Sequence, residues 1–259
     1  RSINIESRDI RYKIDKFSLI TGVEKSLSPR LQVALNYEYS FVKTTDVKPG
    51  VILTREDAGT ISIASISPSF FYDTRDDVFD PTSGSLNGIV LKFASRALLS
   101  ETEFLKATFQ SSWFFPVVYD AVFALSFRGG LAFSLDNLDE LPLVERFFLG
   151  GRRTVRGYSK DTLGPRGQDG DPTGGNIFTL FNSEIRIPVW KGLGVVGFID
   201  GGNVWRTIQD IRSELKFTAG GGLRYKTPVG PVRVDYGFKL NEESGDTSGE
   251  VHFSFGHAF

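Results

Sequence analysis

Leu31-Gln-Val-Ala-Leu-Asn-Tyr-Glu-Tyr-Ser-Phe41 is the stretch that decides the fold. Leu31, Val33, Leu35, Tyr37, Tyr39 and Phe41 alternate with Gln32, Ala34, Asn36, Glu38 and Ser40. A period of two puts one class of side chain on each face of a β-strand, so this strand has an apolar face and a polar face. The same pattern recurs outward along the chain. Leu105, Ala107, Phe109, Trp113 and Phe115 oppose Lys106, Thr108, Gln110 and Ser112. Ala121, Phe123, Leu125, Phe127, Leu131 and Phe133 oppose Ser126 and Arg128. Val232, Val234, Tyr236, Phe238 and Leu240 oppose Arg233, Asp235 and Lys239, and a last strand carries Val251, Phe253, Phe255 and Phe259.

Twelve strands are expected, near 3–11, 16–25, 30–43, 59–73, 84–97, 102–115, 120–134, 176–188, 193–205, 215–226, 230–241 and 249–259, with ends uncertain by roughly 2–4 residues. Most run to about 10–14 residues, longer than the roughly 5–6 of sandwich strands. Strands that cross a bilayer at a tilt need roughly 9–11. Length therefore favours a transmembrane antiparallel β-barrel over a soluble β-sandwich, although either fold can carry a polar face. The connections alternate in character. Segments 26–29, 74–83, 116–119, 189–192 and 227–229 read as turns, whereas 44–58, 135–175, 206–214 and 242–248 are mostly longer and more polar. Outer-membrane barrels have short periplasmic turns and longer extracellular loops, so both ends of the chain fall on the short-turn side. No helix of useful length, repeat or linker is evident, and the chain reads as one domain.

Composition narrows the chemistry. The 259 residues include no cysteine, which excludes disulfides and thiolate sites. A net charge of -1 gives no reason to expect a nucleic-acid partner. The longest apolar runs, such as 193–199, are far short of the about 20 residues of a helical membrane span. Methionine is absent and the first residue is Arg1, which reads as a processed or truncated piece of a longer chain.

The longest loop carries the motif Val155-Arg156-Gly157-Tyr158, followed by Leu163-Gly-Pro-Arg-Gly167 and Asp171-Pro-Thr-Gly-Gly-Asn176. Structureless loops of this length are usually functional or disordered, and this one is patterned. Its Val-Arg-Gly-Tyr tetrapeptide resembles the VRGF/Y signature of the bacterial surface antigen family, which includes the BamA- and TamA-type assembly barrels. Phe71-Tyr-Asp-Thr-Arg-Asp-Asp77 with Asp80-Pro-Thr-Ser-Gly84 is similar to a periplasmic turn of that family. Asn182-Ser-Glu-Ile-Arg186, Phe198-Ile-Asp-Gly-Gly-Asn203 and Pro228-Val-Gly-Pro-Val-Arg-Val-Asp-Tyr-Gly237 resemble later strands, and His252-Phe-Ser-Phe-Gly-His-Ala-Phe259 its closing strand.

The resemblance implies an outer-membrane assembly factor that helps β-barrel proteins fold and insert, without catalysis and without a cofactor. It implies unfolded outer-membrane clients, the lipid bilayer and periplasmic or lipoprotein accessory subunits as partners, and the Gram-negative outer membrane as location. It places the long loop inside the lumen, with Arg156 against acidic residues on the next two strands, which here are Glu184 and Asp200. Strand parity agrees: Glu184 shares a face with Asn182 and Arg186, and Asp200 lies opposite Ile199. A guanidinium fork suits two carboxylates better than an ammonium. Arg152 and Arg153 read as solvated. Phe253, Phe255 and Phe259 would form a C-terminal recognition strand, Phe259 also serving as an interfacial aromatic. Family barrels have sixteen strands preceded by POTRA repeats, so residues 1–259 read as the C-terminal portion, with the first four strands and the POTRA repeats absent. A two-partner-type secretion pore and a passive porin are the alternatives.

Other signals are weak. His252 and His257 lie five apart on one strand and point to opposite faces, which defeats a zinc site. Asp169-Gly-Asp171 lacks the bidentate Glu of a calcium loop. Trp113, Trp190 and Trp205 fall toward strand ends, the position of an aromatic girdle.

Overall fold

The computed structural model describes residues 2–8, 12–46, 57, 59–136, 141–167, 170–212, 215–228, 230–241, 247–256 and 259. Its strands are β1 (Ser2–Arg8), β2 (Lys13–Ser28), β3 (Leu31–Thr45), β4 (Gly59–Asp73), β5 (Gly84–Ala94), β6 (Phe104–Pro116), β7 (Val122–Ser134), β8 (Ile177–Trp190), β9 (Leu193–Trp205), β10 (Lys216–Tyr225), β11 (Val232–Lys239) and β12 (Gly249–Phe255). Each pairs antiparallel with its neighbour in sequence, giving a single twelve-stranded meander. Among the described residues no ladder joins β1 to β12.

The sheet is curled into a barrel wall. On a flat sheet, with strands about 4.8 Å apart, the β4–β5 turn and the β10–β11 turn would be separated by more than 20 Å. Here Asp80 of the first turn pairs with Lys226 of the second at 2.6 Å. Pro81 O of the same turn accepts from Arg186 on β8. Only curvature brings these groups together.

The two faces of the wall are inverted relative to a water-soluble protein. Apolar side chains such as Phe17, Leu35, Phe70, Ile89, Phe109, Phe127, Ile185, Ile199, Leu223, Val234 and Phe253 are exposed on the outside. The alternate positions, among them Ser18, Ser40, Ser85, Ser112, Ser126, Asn182, Glu184, Asp200, Thr218, Arg233 and Asp235, are buried. A soluble sandwich would bury the first set and wet the second. An apolar outer face with a polar interior suits a wall surrounded by lipid.

The lumen is layered along its axis. At the long-loop end, apolar wall residues Ile14, Val42, Ile63, Phe104 and Ala132 pack against Leu141, Leu143, Phe147 and Leu149 of the 135–175 loop. Charged side chains occupy the middle. At the short-turn end, Phe114, Val122 and Ala124 form a small apolar cluster.

Three sequence expectations change. The last strand was expected to run to Phe259, but β12 ends at Phe255. Gly256 follows with φ +79, a left-handed conformation that breaks the pleat. Phe259 then stacks on Phe114 at 6.4 Å, packing on the lumenal cluster instead of in an outer girdle. Trp205 is buried as well, whereas Trp113 and Trp190 are exposed at strand ends. His257 and Asp169 lie outside the described residues.

Candidate functional site

The 135–175 loop enters the barrel because the backbone at its tip turns sharply. Gly150, Gly151 and Gly157 have φ of +114, +96 and +93, in the range L residues avoid. At Gly157 the wall is also close. A Cβ there would sit 2.7 Å from Gly237 O of β11, and a Cβ on Gly237 would sit 2.7 Å from Arg156 C. Loop and wall thus meet backbone to backbone, at two residues without side chains.

This contact delivers Arg156 to the charged layer, where it is fully buried. Its Nε donates to Asp200 Oδ2 at 2.7 Å and its Nη2 to Asp200 Oδ1 at 2.9 Å, a bidentate fork. Nη1 donates to Glu184 Oε2 at 2.8 Å. The backbone N–H of Arg156 adds a fourth bond, to Asp200 Oδ2 at 3.1 Å. The guanidinium carbon lies 3.5 Å from the centroid of the Phe198 ring, so the cation also rests on a π face. Burial alone would lower the guanidinium pKa. The hydrogen bonds and charge of Asp200, with the charge of Glu184, reverse that and hold it above its ordinary value.

The carboxylates are held from the wall side too. Glu184 accepts from Arg186 Nε at 2.8 Å and from Arg224 Nη2 at 3.4 Å. Asp200 accepts from Asn182 Nδ2 at 2.8 Å. Asp235, on β11, pairs with Arg224 Nη1 at 2.5 Å and lies 3.5 Å from Arg156 Nη1.

Wall side chains also grip the loop backbone. Arg128 Nη2 donates to Arg153 O at 2.7 Å, Asn182 Nδ2 to Thr154 O at 2.7 Å, and Arg233 Nη2 to Arg152 O at 2.5 Å. Gly157 N–H donates to His252 Nε2 at 2.9 Å, and Ser159 Oγ to Glu250 Oε2 at 2.6 Å. These bonds come from β7, β8, β11 and β12, so the loop tip spans the last half of the wall.

A second charged contact holds the loop's entry. Glu145 is buried and accepts from Lys92 Nζ of β5 at 2.6 Å, while Lys106 Nζ of β6 donates to Glu145 O at 2.6 Å. Burial opposes the Glu145 charge, but Lys92 and Lys106 outweigh it and hold the carboxyl at about 2. Arg146 binds Leu141 O at 2.8 Å and Thr173 O at 3.1 Å, clamping the two limbs of the loop together.

The structure therefore brings Arg156, Glu184 and Asp200 into one buried cluster. Val155 and Tyr158 are buried beside them, and Lys239 Nζ lies 4.7 Å above the Tyr158 ring. Arg152 and Arg153 are exposed, though their carbonyls are used by the wall. Phe253 and Phe255 face outward and are exposed. Phe259 does not join them. The sequence reading missed Asp235, Arg224, Phe198 and the Glu145–Lys92–Lys106 contact. Parity had put Asp235 on the polar face, but nothing in the sequence says which lumenal groups meet across the interior.

Comparisons with known proteins accord with this architecture. A family model described as the Omp85 superfamily domain matches residues 2–259. The chain is 29% identical over 229 residues to the outer membrane protein assembly factor BamA of Nitratidesulfovibrio vulgaris, covering 85% of this chain and 28% of that protein. It is 31% identical over 255 residues to BamA of Neorickettsia risticii, covering 92% of this chain and 34% of that protein. The chain thus spans about a third or less of the length of these relatives. The crystal structure of Haemophilus ducreyi BamA lacking POTRA domains 1–3 superposes with a TM-score of 0.78 at 17% identity, over 98% of this chain and 56% of that one. At that identity the likeness establishes the fold.

Proposed function

Since the chain belongs to the Omp85 superfamily, we propose that it is the C-terminal part of an outer-membrane β-barrel that assists other barrel proteins to fold and insert. The location proposed is the Gram-negative outer membrane, and the mode of action is non-enzymatic and needs no cofactor. Clients are unfolded outer-membrane proteins, with periplasmic or lipoprotein subunits as accessory partners. A client strand would be bound by backbone hydrogen bonds at an exposed strand edge, the chemistry of β-augmentation.

The observation that carries this reading is the filled lumen. Arg156, at 0% exposure, ties the loop to Asp200 and Glu184, while Leu141, Leu143, Phe147 and Leu149 fill the long-loop end. A porin keeps an aqueous channel, whereas here the long-loop end and the charged middle of the interior are occupied by the chain's own residues. The same argument weighs against a secretion pore in the state described. Val155, Arg156, Gly157 and Tyr158, with Glu184 and Asp200, are proposed as the structural lock that assembly depends on. Phe253 and Phe255 are proposed as part of a strand that the assembly machinery reads.

The test is a liposome assay with the chain in its full-length context. Faster folding of an unrelated barrel, without ion conductance, is the expected result. Conductance with no effect on client folding would overturn the proposal in favour of a pore.

A further inference from the structure

The charged layer is not balanced. Among the described residues, five arginines (Arg128, Arg156, Arg186, Arg224 and Arg233) share three carboxylates, Glu184, Asp200 and Asp235. Buried charge is costly unless paired, so a surplus of positive charge calls for an anion. Four of the five arginines, Arg128, Arg186, Arg224 and Arg233, also have a buried donor without a hydrogen-bond partner. Arg186 Nη2 and Arg224 Nε are buried with no hydrogen-bond partner, and the residues are only 8% and 7% exposed. Buried polar atoms in native proteins are nearly always satisfied by protein, water or an ion.

Both arginines line one cavity of ≈ 610 Å³ at the short-turn end of the barrel, together with Lys226 and Trp190. Its acidic lining residues are Asp80 and Asp120. The Asp80 charge is met by Lys226 at 2.6 Å, and Asp120 is exposed. The lining therefore carries four cations, Arg186, Lys191, Arg224 and Lys226, against two carboxylates. An anion with several acceptor oxygens matches that donor set, and the guanidinium fork favours phosphate geometry.

We propose that this cavity is a phosphate-binding site, in which Arg186 and Arg224 hold the phosphate oxygens and Lys191 and Lys226 supply the remaining positive charge. The cavity is far larger than a phosphate ion and has Trp190 in its wall. It can therefore take the phosphate as a free ion or as the headgroup of a phospholipid whose apolar part lies along the β8–β9 hairpin.

The full chain, refolded in uncharged detergent, is titrated calorimetrically with inorganic phosphate and with short-chain dihexanoyl phosphatidylglycerol. Saturable binding of at least one probe at one site per chain is expected. Arg224→Gln should abolish it, and Lys226→Glu should weaken it at least tenfold. Lys226 lies outside the strands and is largely exposed, so Lys226→Glu decides the matter even if Arg224→Gln fails to fold. Binding of phosphatidylglycerol that displaces inorganic phosphate assigns the site to a lipid headgroup. Binding of inorganic phosphate alone assigns it to the free ion. Absence of saturable binding by both probes, or unchanged affinity in Lys226→Glu, overturns the proposal.

Discussion

Arg156→Ala removes three side-chain hydrogen bonds to carboxylates and the cation stacked on Phe198. The consequences for the two carboxylates differ. Glu184 keeps Arg186 and Arg224. Among the described residues Asp200 keeps hydrogen bonds from Asn182 Nδ2 and the backbone N–H of residue 156, with Arg128 as its remaining nearby cation. The cost is therefore dominated by Asp200, a fully buried carboxylate that loses its only hydrogen-bonded cation among the described residues. Breaking a buried pair from one side costs about 3–5 kcal/mol. The surviving bonds to Asp200, and water entering the vacated space, place this case near about 3 kcal/mol. At 1.4 kcal/mol per decade that is a roughly hundredfold shift in the loop's docking equilibrium. The chain has no cysteine, so Val155→Cys gives a unique thiol at a position with 0% exposure. Its maleimide labelling reports undocking. Arg156→Ala should accelerate labelling about a hundredfold. Arg156→Lys should fall between, because an ammonium cannot reproduce the fork. In a double variant with Asp200→Asn the effects should be clearly less than additive. Labelling that changes less than about threefold in Arg156→Ala would refute the lock, because a shift that small is well under the kcal/mol scale of a broken buried pair.

Gly157→Ala should also undock the tip, by about 1–3 kcal/mol, because the residue must hold φ +93 with a Cβ 2.7 Å from Gly237 O. The same thiol assay reads it, and wild-type labelling would contradict the close approach. Phe198→Leu keeps apolar volume but removes the π face under Arg156. A loss of about 1 kcal/mol is expected, well short of Arg156→Ala. For Glu145 the folded pKa is depressed to about 2. Its contribution is therefore fully present above the unfolded value of about 4.3 and is lost as pH falls toward 2. Pepsin cleavage around Phe147 and Leu149, normalised to an unstructured peptide, should be slow at pH about 4 and rise toward pH about 2. A flat normalised rate would show that the Lys92 and Lys106 contacts do not hold the loop.

Much of this architecture is legible because strand alternation is a local signal. Leu31 to Phe41 alternates within one strand, and a reader needs no distant residue to see it. The same parity puts Glu184, Asp200 and Asp235 on the polar face. What parity cannot supply is the partner across the lumen. Arg224 and Asp235 meet because β10 and β11 are adjacent, but Arg156 reaches Asp235 through a loop whose path depends on Gly151 and Gly157. Phe259 was misplaced for a related reason. Its spacing continues the pattern of Phe253 and Phe255, but the positive φ of Gly256 ends the strand before the pattern can apply. Trp205 was misplaced because nearness to a strand end says nothing about which loop covers it.

The loop also redistributes what holds the last strands. β2 and β3 pair over fourteen or more residues, whereas β11 and β12 pair over seven, from Val232↔Phe255 to Phe238↔Gly249. A short ladder offers fewer hydrogen bonds against fraying, and strands at an edge open most readily. The loop adds links that the ladder lacks: Gly157 to His252, Ser159 to Glu250, Arg152 to Phe253 O, and Arg233 to Arg152 O. Three of these attach to lumenal side chains, whereas the Arg152 bond ends on Phe253 O, a carbonyl turned away from β11 toward the outer edge of β12. The proposed assembly role would require a strand edge that can pair with a client, and a wall that keeps its shape while that edge is engaged. Anchoring β11 and β12 from inside meets both demands, because three of the four contacts that steady the strands use side chains and leave the backbone groups a client strand would bind. On this argument undocking the loop should do more than expose its tip. Arg156→Ala should raise amide exchange in β11 and β12 while leaving β2 and β3 protected. Equal exchange across all four strands would show that the loop does not support the edge.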